Sequence, residues 1–223
     1  TVQLVFSEAV IGFSSTDDID APNGSLSTMT SSDNITWSGT FTPATNAEDP
    51  TNTLSLATSY TDTAGNNGPV ATTANYEVEN RAPSANSFTM SATQLKIGET
   101  ATVQLVFSEA VIGFSSTDDI DAPNGSLSTM TSSDNITWSG TFTPATDAEV
   151  ANKRLSLATG YTDLAGNNGS AKTTPYYKVD TKKPTLSVVT DVSNPTDNNT
   201  PNYTFSSSET GTITFGGACG SST

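Results

Sequence analysis

Two carboxylates end runs of alternating apolar residues. Glu109 follows Val103, Leu105 and Phe107, and Asp163 follows Leu155, Leu157 and Tyr161. Side chains two apart on a strand share a face, so each acid continues an inward-pointing series. If the two strands face each other across one core, both acids cap the same end of it. Two anions so placed repel unless a cation, a proton or hydrogen-bond donors intervene. Calcium suits such a place, because it takes about six to eight oxygen ligands and needs no nitrogen or sulfur. Asp118 and Asp119 lie in the loop after Glu109, and Glu79 and Asn80 lie in the segment arriving from upstream. Glu8 and Asp62 repeat the acid pair earlier in the chain, and Asp180 repeats the position of Glu79, with Glu209 beyond it. These nine residues, Glu8, Asp62, Glu79, Asn80, Glu109, Asp118, Asp119, Asp163 and Asp180, are the candidate metal ligands. DLAGNNG lacks the alternating ligands of an EF-hand loop. Asp163 also has a plainer use. Two residues before Ala165-Gly166, it is well placed to bind its own backbone in an Asx-turn. Both uses stay open.

A third chemistry for paired carboxylates is glycoside hydrolysis. The cap of a narrow sandwich offers it no cleft, and no further acid–base or oxyanion group accompanies the pair. The chain has no histidine and one cysteine, Cys219. Histidine-based triads, zinc sites of His or Cys, and Cys–His nucleophiles are therefore excluded within it, and no internal disulfide can form. No enzyme activity is expected. The net charge of −15, from 23 acidic and 8 basic residues, repels nucleic acid and anionic lipid. No apolar run reaches the length of a membrane span. The chain starts without Met, in what reads as the middle of a strand, so we expect an excerpt of a longer polypeptide.

The positioning elements follow from a repeat. Thr1 to Thr45 return unchanged as Thr102 to Thr146, a period of 101 residues. The copies then diverge in register: Leu54-Ser-Leu56 matches Leu155-Ser-Leu157, Tyr60-Thr-Asp62 matches Tyr161-Thr-Asp163, and Pro83 matches Pro184. That period is the size of a whole domain, too long for a solenoid repeat. Three units are expected: 1–80 lacking its first strand, 81–181 complete, and 182–223 as the opening of a third of different sequence. The complete unit shows about seven short strands separated by turns and no convincing helix, which predicts an antiparallel β-sandwich of immunoglobulin type. Asn124-Gly125 predicts a two-residue hairpin. Successive sandwiches joined at Pro83 and Pro184 should lie end to end, because proline stiffens each junction.

FSEAVIGFSSTDDI, NGSLSTMTSSDNITWSGTFTP and YTDLAGNNG resemble bacterial Ig-like (Big) domains, over nearly all of both copies. Such modules are strung in tandem in large secreted or surface-anchored bacterial adhesins. The resemblance implies all-β, tandem immunoglobulin-like sandwiches at the bacterial cell surface, acting as non-catalytic spacers with calcium at their junctions. It implies neighbouring Ig-like domains of the same chain as partners, and a host-cell or matrix receptor contacted by other parts of the full protein. The stretch from Lys183 resembles another bacterial Ig-like subtype, in which Cys219 is expected to pair with a later cysteine. An unpaired buried thiol is the alternative. The competing function is a glycan-binding module, which needs exposed aromatics. Tyr176 beside Tyr177 is the one candidate, since one of the two must point outward.

Overall fold

The computed structural model describes residues 1–193 and 196–214. Cys219 and its pairing lie outside the described residues. The fold is β almost throughout, with one short helical turn at Ser15–Asp18 among the described residues. Among the described residues, no helix is long and apolar enough to cross a membrane.

The second copy is a two-sheet sandwich. One sheet runs Ala85–Met90, Ala101–Phe107, Thr137–Pro144, Gly125–Leu127, each antiparallel to its neighbour. The other sheet is assembled from two short ladders. Tyr177–Asp180 lies between Gln94–Lys96 and Glu149–Lys153, and Ser156–Leu157 lies between Ile120–Asp121 and Lys172–Thr173. The segment after Pro83 thus supplies a strand to each sheet. Its second strand, Gln94–Lys96, runs parallel to Tyr177–Asp180.

Alternation places the core. Val103, Leu105 and Phe107 are buried from the first sheet, and Leu155, Leu157 and Tyr161 from the second. Phe107 packs on Tyr161 with ring centres 4.7 Å apart, and Phe114 meets Trp138 edge-on at 4.9 Å. The Tyr161 hydroxyl donates to the Ser170 carbonyl at 2.7 Å, satisfying the one polar atom of that buried ring. Burial and the nearby Asp121 push the Tyr177 phenol up to about 12.

The Asn124-Gly125 expectation is corrected. Asn124 has the left-handed backbone such a pair favours, with φ 60°. The strands on either side, Ile120–Asp121 and Gly125–Leu127, belong to different sheets. The pair therefore turns the chain from one sheet to the other. A Cβ at Gly125 would collide with the Phe142 ring, so the glycine also serves packing.

Among the described residues, the first copy repeats this plan from Val2–Val5 onward. Val2–Val5 pairs with Thr36–Gly39 and has no partner on its other side among the described residues. Tyr76–Glu79 likewise pairs with Glu48–Asn52 alone. Identical residues consequently differ in burial. Leu105 and Phe107 are 0% and 1% exposed, whereas Leu4 and Phe6 are only half-buried. After the second copy, Leu186–Thr190 and Thr204–Ser207 form an antiparallel pair.

Candidate functional site

The Tyr161–Gly169 turn is held by one carboxylate. Asp163 Oδ1 accepts from the Asn167 backbone N–H at 2.8 Å, and Oδ2 accepts from Asn167 Nδ2 at 2.7 Å. The chain can fold back because Gly166 adopts φ 94°. Asp163 is 1% exposed. Burial alone would raise its carboxyl, but the Asn167 side chain and the backbone donors of the turn outweigh this and hold it below its ordinary value. Asp62 repeats the arrangement, with Ala64 N, Asn66 N and Asn66 Nδ2 as donors at 2.7–2.9 Å. Asp62 is only half-buried, and Glu8 is exposed.

Glu109 is placed at the same end of the second copy. Its carboxyl is pushed up, first by burial and then by Glu79, Asp163 and Glu48. Glu109 is thus close enough to feel the charges of two other expected ligands, Glu79 and Asp163. The side chain of Asn167 adds a tie across the junction, donating from Nδ2 to the Glu79 carbonyl at 3.3 Å. From the sequence, Asn167 has no assigned role. Its repetition in both AGNNG stretches was the available signal.

The remaining candidates serve their own loops. Asp119 Oδ2 accepts from Ser115 N at 2.8 Å, and Asp118 Oδ2 accepts from Ser115 Oγ at 2.7 Å. Asn80 is turned to its own copy, donating from Nδ2 to the Ala44 carbonyl at 2.9 Å. Thr181 occupies the matching position in the second copy and donates to the Ala145 carbonyl at 2.6 Å. Among the described residues, no group of three or more acidic side chains stands in the geometry of a metal site. At the following junction, Asp180 Oδ1 and Glu209 Oε1 are buried with no hydrogen-bond partner among the described residues. Two ion pairs recur across the linkers: Arg81 with Glu48 at 3.1 Å and Lys182 with Glu149 at 3.6 Å. Both are exposed and contribute little to stability.

Tyr176 points outward, as one of the tyrosine pair must, and the Arg154 guanidinium covers its ring at 3.7 Å from the centroid. Stacked in this way, the ring is occupied by the protein's own cation.

No relative among curated proteins matches the chain at a significant level. One solved structure that it resembles was described as "FdeC, a Novel Broadly Conserved Escherichia coli Adhesin Eliciting Protection against Urinary Tract Infections", at 16% identity and a TM-score of 0.35. The match covers 92% of this chain and 63% of that one, so the chain spans less than two thirds of that structure. The family described as bacterial Ig-like domain matches residues 1–78 and again residues 79–179. The chain, sandwich upon sandwich, belongs to the bacterial Ig-like domain family.

Proposed function

We propose that the chain is a non-catalytic spacer of a repetitive, adhesin-like protein on the outside of a bacterial cell, with calcium stiffening its domain junctions. One observation carries the reading. Two successive bacterial Ig-like domains are joined by a short linker, and the Glu109 carboxyl of the second is raised by burial and by the charges of Glu79 of the first and of Asp163, which supports a cation between them. A tiled rod needs strong individual modules and firm joints, and no substrate cleft. Units 1–80, 81–181 and 182–223 are the divisions this reading uses. In it, the ligands for calcium are Glu79, Glu109 and Asp163, and Asp180 with Glu209 marks the corresponding place at the next joint.

A thermal melt with calcium and with chelator tests the cation. A ligand that binds only the folded state at a hundredfold its Kd adds about 2.7 kcal/mol. For a domain of this size that raises Tm by roughly ten degrees. Asp163→Asn should remove most of this response. Asp134→Asn should not, since Asp134 holds only its own turn, through Ile136 N and Thr137 N at 2.9 and 2.8 Å. Glu109→Gln gives a separate signature. The folded-state pKa of Glu109 lies above its ordinary value, so the native protein holds that proton more tightly than the unfolded chain. Stability therefore falls as pH rises through this range. In chelator, Glu109→Gln should raise Tm at pH 7 and lose that advantage below the ordinary value of 4.5. In calcium it should respond less than wild type. Identical curves with calcium and chelator for all proteins would leave Asp163 as a turn residue alone.

A further inference from the structure

We propose that Asn124 is a self-modification site: its side chain closes onto the Gly125 backbone nitrogen and opens to aspartate and isoaspartate, whereas the same Asn23-Gly24 pair of the first copy is held back. Asparagine followed by glycine favours this reaction, because no Cβ on the next residue crowds the attacking nitrogen. In the first step the Gly125 N–H loses its proton to hydroxide and the nitrogen bonds to Asn124 Cγ. The Cγ–Nδ2 bond breaks, and the amide nitrogen leaves as ammonia. Water then opens the cyclic imide. Breaking the new Cγ–N bond gives aspartate. Breaking the bond to the Asn124 backbone carbonyl gives isoaspartate, in which the main chain runs through the former side chain. Water enters and ammonia leaves, with no other reactant.

The chain has four Asn-Gly pairs, and the structure separates them. Gly68 N and Gly169 N donate to the Tyr60 and Tyr161 carbonyls at 3.0 and 2.8 Å, so neither nitrogen is free to attack. Gly24 and Gly125 stand instead opposite Pro43 and Pro144. Ala145 N donates to the Asn124 carbonyl at 2.9 Å, which makes Asn124–Ala145 a bonded pair. Bonded pairs alternate along an antiparallel ladder, so Gly125 falls in an unbonded one. Ala44 N and the Asn23 carbonyl, also 2.9 Å apart, put Gly24 in the same position. The backbones match too, with φ 55° at Asn23 and 60° at Asn124. With nucleophile and backbone alike, the side-chain amide decides. Asn23 Nδ2 donates to Asp49 Oδ2 at 2.8 Å and to Asn52 Oδ1 at 2.7 Å, and must give up both bonds to turn its Cγ toward Gly24. Val150 and Lys153 hold those places in the second copy. Valine has no polar side-chain atom and lysine only donates, so neither can accept from the Asn124 amide. Asn124 is exposed, which admits hydroxide and water. The product is also better placed there. A carboxylate at 124 has Lys153 in the place of Asn52, whereas one at 23 would face the Asp49 carboxylate.

The test incubates the whole folded chain at mildly alkaline pH and follows each asparagine by mass spectrometry of tryptic peptides. Trypsin parts the two copies, since it cuts after Arg81, Lys96 and Lys153. Conversion at Asn124 should run about tenfold or more faster than at Asn23, the factor that two side-chain hydrogen bonds supply. It should also outrun Asn67 and Asn168. Isoaspartate, which direct hydrolysis of the amide does not produce, should appear at position 124. Val150→Asp with Lys153→Asn rebuilds the surroundings of Asn23 and should slow Asn124 to the rate of Asn23. Asp49→Val leaves the second copy untouched and should speed Asn23. Equal rates at Asn23 and Asn124 would overturn the proposal, as would faster conversion at another asparagine or aspartate forming at 124 without isoaspartate. So would an Asp49→Val protein that keeps the wild-type rate at Asn23.

Discussion

Leu105→Ala is expected to cost the second copy about 3–4 kcal/mol, and Leu4→Ala to cost the first copy about half as much or less. The two leucines sit in the same sequence, TVQLVFSEAV, with the same partners across the strand: Trp138 faces Leu105 and Trp37 faces Leu4. Only the cover differs. Phe88 lies opposite Leu105, which is 0% exposed, while Leu4 is only half-buried. Truncating an enclosed side chain leaves a cavity, whereas truncating one that water already reaches forfeits only part of the burial term. Each copy has one tryptophan, so Trp37→Phe and Trp138→Phe backgrounds let denaturant melts report the copies separately. Equal losses at the two positions would show that the opening strand does not complete the core.

Gly169→Ala should destabilise the second copy by about 3 kcal/mol or more, through the Tyr161 ring rather than the backbone. Gly169 does not occupy the left-handed region, so alanine meets no φ penalty there. Its Cβ, however, would fall within the Tyr161 ring. That ring is 0% exposed, is packed on Phe107, and is pinned by its hydroxyl to Ser170. It cannot move without breaking the hydrogen bond and disturbing the turn that Asp163 closes. Tyr161→Phe keeps the ring and frees it only of the Ser170 hydrogen bond, so it should give less relief than Tyr161→Leu, which should recover part of the loss in a double-mutant cycle. A Gly169→Ala protein as stable as the wild type would mean the ring is free to shift.

The sandwich was legible because alternation is strong where both sheets face the core. Val103, Leu105 and Phe107 declare their strand, and Tyr161 followed by Asp163 declares the end of another. The duplication made the register between the two copies visible in the amino-acid sequence itself. Three features were hidden, each for a physical reason. Asn124-Gly125 fixes a backbone conformation, but the choice between hairpin and sheet crossing is made by which neighbour each strand finds. Gln94–Lys96 is too short for periodicity to show that it leaves the first sheet for the second. Asp118 and Asp119 lie in the loop after Glu109, yet Ser115 supplies donors to both carboxylates within that loop. Local donors thereby compete with any shared ion, and composition alone does not reveal which wins.

Small-angle X-ray scattering of the whole chain in calcium tests the spacer reading most directly. Sandwiches of roughly 35–40 Å laid end to end should give a radius of gyration of about 24 Å or more and a skewed, rod-like distance distribution. A compact particle of this length would have a radius of gyration of roughly 17 Å. The spacer account predicts the extended value, and a compact, symmetric particle would contradict it.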